Sequence, residues 1–186
     1  MSPAFPIVAL LWSVSEVSIG IRAIRRVGSR KDDRLSGPAL VGGMVLAVWL
    51  GYVLTSLVPR ADITTLRPMV IGLGVALAIA GIVLRQYAVA SLGRYFTTRV
   101  MTSPGQRVID TGPYRFVRHP SYTGLLMTVL GLLLISANWL SMGCFVVALP
   151  GFGYRIWVEE HALANAIGEP YREYMRRTKR LLPFII

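Results

Sequence analysis

Charged residues are scarce in this chain, and acidic ones are the scarcest. Only 16% of its 186 residues are charged and 54% are hydrophobic, whereas a soluble domain carries about 25% charged residues. Several long stretches contain no charge at all. This composition excludes an ordinary soluble domain and predicts an integral membrane protein.

The few charges are strongly biased toward the basic side, with 20 Lys and Arg against nine Asp and Glu and a formal net charge of +11. The basic residues fall in clusters between apolar runs and not along one amphipathic face. No base-stacking or groove-reading motif accompanies them. We therefore expect no nucleic-acid partner and ascribe the basic clusters to orientation in the membrane and contact with membrane lipids.

Cysteine and histidine are nearly absent as well. The single Cys144 lies within an apolar run, so an intrachain disulfide is excluded and a core position is expected. His119 and His161 are the two histidines, and their spacing from Cys144 fits no usual set of metal ligands. We expect no metal site.

Three apolar runs, at residues 5–21, 36–59 and 68–84, predict transmembrane helices, because about 20 apolar residues cross a bilayer. The first run contains Glu16, whose charge is costly in hydrocarbon; a functional role and a place near the helix end remain open alternatives. The third run is rich in glycine and alanine, which allows close helix packing.

Residues 120–154 form a fourth uncharged stretch of 35 residues. It corresponds to about 52 Å of helix, which exceeds one crossing. A polar break at residues 136–138 (SAN) predicts a tight hairpin with two arms of about 16 residues each, short for full spans. Proline and glycine at residues 150–153 (PGFG) predict a bend or break in the second arm.

The basic clusters predict the orientation of these five crossings. They follow the first and third apolar runs and recur in the C-terminal tail. Because cytoplasmic loops are enriched in Lys and Arg, we expect the N-terminus outside and the tail in the cytoplasm. Residues 85–119, the longest polar connection, would then lie on the same side as the tail.

Chemistry-bearing residues concentrate at residues 112–124 (GPYRFVRHPSYTG). Pro120 is expected to begin a helix, which leaves His119 beside unpaired backbone N–H groups suited to an anion. A second cluster occupies residues 155–161 (RIWVEEH), in which Arg155 and Glu159 share a helix face and could be only an exposed pair. The adjacent carboxylates there point in different directions.

Together, residues 112–124, the pair Glu159-Glu160 and residues 168–184 (GEPYREY to LPF) resemble the isoprenylcysteine carboxyl methyltransferase family, which is related to phospholipid N-methyltransferases. The resemblance covers roughly the second half of the chain, whereas residues 1–66 agree only in being membrane helices. It implies one membrane domain over residues 1–186. Three transmembrane helices in residues 1–90 would precede a catalytic region in residues 91–186.

The resemblance also implies S-adenosylmethionine as methyl donor, in a cytoplasmic pocket built from the ends of the last helices and the tail. Carried over by position, the cofactor-binding residues are Tyr114, His119, Pro120, Tyr122, Gly124, Glu159 and Glu160. The catalytic residues are Arg118, Arg155 and Glu160.

The methyl acceptor is expected to be lipid-like and to enter from the bilayer. An ionised carboxylate needs no base, and a fixed guanidinium can orient it through a forked hydrogen-bond pair. An amine or thiol must lose a proton, which would give a Glu or His a larger part. An isoprenylcysteine carboxylate is the first expectation. A phospholipid amine, a small thiol and a non-enzymatic membrane scaffold remain alternatives.

Overall fold

The computed structural model describes residues 2–24, 30–31, 35–93, 96, 101–102 and 108–182. Within these residues the chain is almost entirely helical, as predicted. The helices are α1 Ala4–Ile24, α2 Ser36–Leu57, α3 Arg67–Leu92, α4 Pro120–Ile135, α5 Trp139–Gly143, α6 Phe145–Ile167 and α7 Glu169–Arg177. Two short strands, β1 Arg30–Lys31 and β2 Met101–Thr102, pair antiparallel. Most of the basic cluster that follows the first apolar run lies outside the described residues. So do residues 183–184, the end of the motif at residues 168–184.

The long helices have the character of membrane spans. Four segments are long and apolar enough to cross a bilayer: α1, α2, α3 and the 29-residue stretch that contains α5 and α6. Large apolar side chains such as Val14 on α1 and Trp49 on α2 are exposed on their outer faces, where lipid would cover them. The chain is therefore a multi-pass integral membrane protein. The remaining predicted crossing, the first arm of the hairpin, corresponds to α4, which has only 16 residues.

Glycines bring α3 and α4 into backbone contact at two levels. A Cβ added to Gly81 would lie 2.5 Å from the carbonyl oxygen of Gly124, and one added to Gly131 would lie 2.6 Å from that of Gly74. No side chain fits at these crossings, which confirms that small residues of α3 serve close packing. Gly72 takes no part, because a Cβ there would meet nothing within 4 Å.

A second close contact joins α2 to α6. A Cβ on Gly151 would lie 2.6 Å from the carbonyl oxygen of Ala39. Around this contact lies the largest buried apolar cluster, which connects α2, α4 and α6: Leu40, Met44, Ala47, Leu125, Val129, Leu133, Cys144, Ala148 and Phe152. Cys144 is thus a core residue, as expected. The helix pairs α3–α4 and α2–α6 meet at this core.

The hairpin tip lies where the polar break predicted it, between α4 and α5. Asn138 is fully buried and caps α5, with its side-chain oxygen accepting from the N–H groups of Leu140 and Ser141 at 3.1 Å each. Its amide nitrogen donates to the carbonyl of Val58 at 3.1 Å and to Asp62 Oδ1 at 2.8 Å. All hydrogen-bonding capacity of this buried amide toward its neighbours is used, so the tip is fixed without charge burial.

The predicted break near residues 150–153 is wrong. The second arm is interrupted earlier, at Cys144, and α6 then continues through Pro150 to Ile167. The proline removes one backbone hydrogen bond, but tertiary packing holds the helix on both sides of it. Gly151 contributes to that packing through its contact with α2 and does not end the helix.

The predicted end of the third span at Leu84 is also wrong. Helix α3 continues to Leu92 and carries Arg85 inside it, 8% exposed. A buried guanidinium is tolerated because it is paired: its Nη2 donates to Glu16 Oε2 at 2.7 Å. The charge that marked the end of the apolar run in the sequence therefore lies within the helix bundle.

Candidate active site

Glycine and proline set the chain direction at the polar end of the α4–α6 hairpin. Gly112 has φ 58° and Gly168 has φ 78°, left-handed conformations that glycine adopts without strain. Gly168 ends α6 as predicted, and Pro170 lies in the first turn of α7. Pro120 is the first residue of α4, also as predicted. These turns place α7 and the tail beside the start of α4.

The tail pairs with the segment that precedes α4. The backbone N–H of Arg118 donates to the carbonyl of Lys179 at 2.7 Å, and that of His119 donates to the carbonyl of Arg180 at 2.9 Å. The sequence-predicted meeting of residues 112–124 with the tail is therefore present. It satisfies N–H groups that a helix N-terminus would otherwise leave without partners.

Glu160 lies at the centre of a buried charged cluster. It is 3% exposed, and its Oε1 accepts from Arg118 Nε at 2.9 Å and lies 3.3 Å from His119 Nε2. Its Oε2 accepts from Arg180 Nε at 3.0 Å and Nη2 at 2.9 Å. The hydrogen bond from Arg180 raises the pKa of that guanidinium. Both carboxylate oxygens are thus engaged by cationic groups from the α4 entry and the tail.

Arg118 extends this cluster to the tail backbone. Its Nη1 donates to the carbonyl oxygen of Met175 at 2.8 Å and also to that of Thr178. These carbonyls belong to the last turn of α7 and the residue after it, where a helix leaves carbonyl groups unpaired. Arg118 therefore joins Glu160 of α6 to the end of α7.

A second buried network lies around Tyr122, on the first turn of α4. Its hydroxyl donates to Glu159 Oε2 and accepts from Arg155 Nε at 3.0 Å. Arg155 is 3% exposed and its Nη1 donates to Ser36 Oγ at 2.9 Å, at the start of α2. The interpretation of Arg155 and Glu159 as a merely exposed pair is therefore wrong. Tyr122 of α4 forms hydrogen bonds with both of these α6 residues.

The two neighbouring carboxylates of α6 serve different networks, as the helix geometry predicted. Successive residues point about 100° apart around a helix. Glu160 faces the tail and is buried, whereas Glu159 faces Tyr122 and remains partly exposed. The rings of His119 and Tyr122 stack with centroids 5.5 Å apart and an interplanar angle of 20°. This stack lies between the two networks.

Tyrosines on the tail side add neutral hydrogen-bond donors. The hydroxyl of Tyr174 donates to the carbonyl of Tyr114 at 2.6 Å. Burial raises the pKa of Tyr174 to about 12. Burial, with the nearby Glu159 carboxylate, raises the pKa of Tyr114 well above its usual value. Both phenols therefore stay protonated at neutral pH, and that of Tyr174 acts as a hydrogen-bond donor.

Two other residues assigned by resemblance contribute backbone geometry. Pro120 is buried at the start of α4, where its fixed φ suits the first helical turn. Gly124 lies against α3, and a Cβ there would be 2.6 Å from the carbonyl oxygen of Gly81. A cofactor-binding role for either stays a prediction, while the structure gives Gly124 a packing role.

Sequence reasoning did not single out three members of these networks. Arg180 is one of several basic tail residues, and nothing local distinguishes it from Lys179. In the sequence, Ser36 is only the start of an apolar run. The sequence predicts a loop position for Arg85, yet its Nη1 donates to Ser121 Oγ at 2.6 Å in the first turn of α4. Each gains its place through a partner distant in sequence, which leaves no local signal.

The chain is similar to proteins of a known family. The sequence profile of the isoprenylcysteine carboxyl methyltransferase (ICMT) family matches residues 73–165. A probable protein-S-isoprenylcysteine O-methyltransferase of Oryza sativa subsp. indica is 36% identical over 115 residues, covering 60% of each chain. Protein-S-isoprenylcysteine O-methyltransferase B of Arabidopsis thaliana is 34% identical over 115 residues, covering 60% of this chain and 58% of that one.

A solved structure is similar in fold as well. The eukaryotic intramembrane Ras methyltransferase ICMT matches with a TM-score of 0.60 and 27% identity, over 76% of this chain and 51% of that one. The chain thus spans about half the length of that enzyme and 60% of the rice relative. The matched residues 73–165 contain the side chains of the Glu160 and Tyr122 networks apart from Arg180 and Ser36, and the tail carbonyls of Met175 and Thr178 also lie outside the match. By this match over half of its length, the chain belongs to the isoprenylcysteine carboxyl methyltransferase family.

Proposed function

We propose that this protein is an S-adenosylmethionine-dependent methyltransferase of the membrane, which methylates the carboxylate of an isoprenylcysteine-like or other lipid-like acceptor. The observation that carries the proposal is the Tyr122 network. It links a buried arginine to a partly exposed carboxylate at the polar end of apolar helices, within the residues that match the family. The named relatives act as protein-S-isoprenylcysteine O-methyltransferases.

The residues present suit the chemistry of S-adenosylmethionine. That molecule carries a positive sulfonium, an ammonium, a carboxylate and ribose hydroxyls. Glu159, partly exposed, offers a carboxylate for the ammonium or hydroxyls, and the faces of Tyr114 and Tyr122 suit a cation. The anion site expected at the start of α4 does not contribute, because the His119 N–H donates to the carbonyl of Arg180 and Pro120 has no N–H. When bound, the cofactor supplies an electrophilic methyl group, so the protein needs to position groups and exclude water.

Arg155 is the residue we assign to the acceptor carboxylate. Its guanidinium is buried between Tyr122 and Ser36, at the side of the network that faces the membrane helices. Arginine orients a carboxylate through paired hydrogen bonds, and an ionised carboxylate needs no general base.

Arg118 and Glu160 were expected to be catalytic, and their partners favour a positioning role. Glu160 meets two guanidinium groups and the His119 ring, and Arg118 holds carbonyls at the end of α7. We propose that this pair fastens the tail over the start of α4 and so shapes the cofactor side of the site. A direct catalytic part for either stays a prediction.

The proposed orientation places this site in the cytoplasm and the N-terminus outside. Its support is the distribution of basic residues, which cluster at the polar end of the hairpin and in the tail. A lipid-like acceptor would then reach Arg155 laterally from the inner leaflet. The division of the chain into a membrane half and a catalytic half also stays a prediction.

Calorimetric titration with S-adenosylhomocysteine in detergent tests the cofactor assignment. Wild type should bind, and Glu159→Gln should weaken binding by about tenfold or more, because a hydrogen bond to a charged group contributes about 1.5–3 kcal/mol. Glu173→Gln is the matched control, since Glu173 is an exposed carboxylate on α7. Absence of binding by wild type would contradict the assignment and favour a non-enzymatic scaffold.

Radiolabelled methyl transfer identifies the acceptor. The purified protein is incubated with a farnesylated cysteine analogue in one arm and with total lipid extract in another. Base-labile label, released as methanol from the first arm, is expected for a carboxyl ester. Stable label in phosphatidylethanolamine derivatives, or label on a small thiol, would instead replace the carboxylate acceptor.

A further inference from the structure

A partly buried ion pair, between the buried Arg85 and the partly exposed Glu16, connects the first helix to the site. Arg85 of α3 donates from Nε to Glu16 Oε1, and its Nη2 donates to Glu16 Oε2 at 2.7 Å. The third donor group, Nη1, bonds Ser121 Oγ at 2.6 Å. One guanidinium therefore contacts α1 on one side and the first turn of α4 on the other.

Glu16 and Arg85 pair at a position where a charge is costly, which indicates that the contact has a role. Glu16 lies within a predicted membrane span, where an ionised carboxylate is costly and tends to be retained for a role. The fork of Glu16 fixes two of the guanidinium donors, so the remaining one points at Ser121. Because an arginine fork is planar, fixing one edge sets the direction of the other.

Ser121 lies between two residues of the site. It follows Pro120 and precedes Tyr122, whose hydroxyl joins Glu159 to Arg155. The Arg85 charge also reaches the site electrostatically, because it partly opposes the rise in the Tyr114 pKa that burial causes. The ion pair thus acts on the turn that presents Tyr122.

We propose that Glu16 and Arg85 are positioning residues, which fix the first turn of α4 through Ser121 and thereby align His119 and Tyr122 for binding of cofactor and acceptor. This inference rests on the proposed function, because the expected effect on binding assumes that the site holds S-adenosylmethionine. It adds to the site a residue of α1, which lies outside the matched residues 73–165. The first helix is then part of the working site and not only a membrane anchor.

Three variants test the proposal. Ser121→Ala removes the contact with α4 and leaves the ion pair in place. Glu16→Gln weakens the fork that directs Arg85. Gln86→Leu is the matched control, because Gln86 bonds Ser15 Oγ of α1 at 2.7 Å from the neighbouring position of α3 and its contacts lie on α1. Thermal unfolding in detergent shows the stability cost of each variant.

Two readouts separate positioning from stability. For Ser121→Ala and Glu16→Gln, we expect S-adenosylhomocysteine binding at least tenfold weaker per folded molecule, and faster hydrogen exchange in residues 117–124. Gln86→Leu should lower the melting temperature without either change. Wild-type binding and exchange in Ser121→Ala would overturn the proposal, even if Glu16→Gln fails to fold.

The same data distinguish failure of this inference from failure of the proposed function. If wild type binds no S-adenosylhomocysteine, the cofactor assignment fails, while the exchange of residues 117–124 still decides the positioning role. If wild type binds and both variants bind equally well, the positioning role alone fails. Arg85→Lys keeps the charge without the fork, so binding as weak as in Arg85→Ala would support a directional contact, and wild-type binding would contradict it.

Discussion

The two ends of the α4–α6 hairpin solve the problem of buried polar groups differently. At the tip, the neutral Asn138 satisfies four partners through its amide. At the other end, the buried Glu160 and Arg155 are ionised groups held by networks from four helices and the tail. The bonds of a neutral amide, one of them to the partly exposed carboxylate of Asp62, suffice to turn the chain, whereas buried charges cost much more. The charged end is therefore where function is expected.

The largest effect should follow loss of Glu160. Glu160→Ala leaves Arg118 and Arg180 without their buried carboxylate, and removing one partner of a buried pair costs about 3–5 kcal/mol. We expect a much lower thermal unfolding midpoint in detergent and rapid proteolysis of the tail after α7. A tail as protected as that of wild type would show that the backbone pairing with Lys179 and Arg180 is sufficient.

A smaller effect, on methyl transfer, is expected at Tyr122. Tyr122→Phe keeps the ring stack with His119 and deletes the hydroxyl shared by Glu159 and Arg155. Leaving buried polar partners unsatisfied costs about 1–3 kcal/mol. Methyl transfer should fall by roughly tenfold to a hundredfold, measured as kcat/KM. Tyr154→Phe, at an exposed position of α6, supplies the control.

At the tip, a substitution should lower the unfolding free energy and leave binding unchanged. Asn138→Ala removes an N-cap and its side-chain bonds to Val58 and Asp62, so a loss of about 1–2 kcal/mol in unfolding free energy is expected. Affinity for S-adenosylhomocysteine per folded molecule should not change. Weaker binding in this variant would mean that contacts at the tip also affect the site at the other end of the hairpin.

The smallest effect is expected at Glu169, an exposed charge near the buried ones. It pairs with Arg172 at 3.6 Å and with Arg176, but its side chain is 64% exposed. Exposed ion pairs contribute under about 1 kcal/mol. Glu169→Gln should therefore leave both the unfolding midpoint and the kinetics within error of wild type, which a side-by-side measurement with Glu160→Ala would reveal.

Local chemistry in the sequence predicted the parts of the fold that depend on neighbours along the chain. Pro120 begins α4, Gly168 ends α6, and the polar break before α5 forms the hairpin tip. Each outcome follows from backbone restrictions or capping within a few residues. The apolar runs likewise predicted the membrane helices, because hydrophobic length is a local property.

What the sequence could not predict depends on partners far along the chain. Arg85 reads as the end of an apolar run until Glu16, 69 residues away, is seen to pair with it. Arg180 looks like any basic tail residue until it meets Glu160. Pro150 is tolerated because Gly151 packs on α2. A charge predicts the end of a membrane span and a proline predicts a break in a helix, but tertiary contacts can reverse either prediction.

The glycine crossings of α3 and α4 bear on how a lipid could reach the site. At Gly81 and Gly124 the backbones touch with no room for a methyl group, so neither helix can slide or rotate without collision. We therefore expect the two helices to move together. A lateral opening for a long-chain molecule would then require displacement of α1, α2 or α6 relative to α3 and α4.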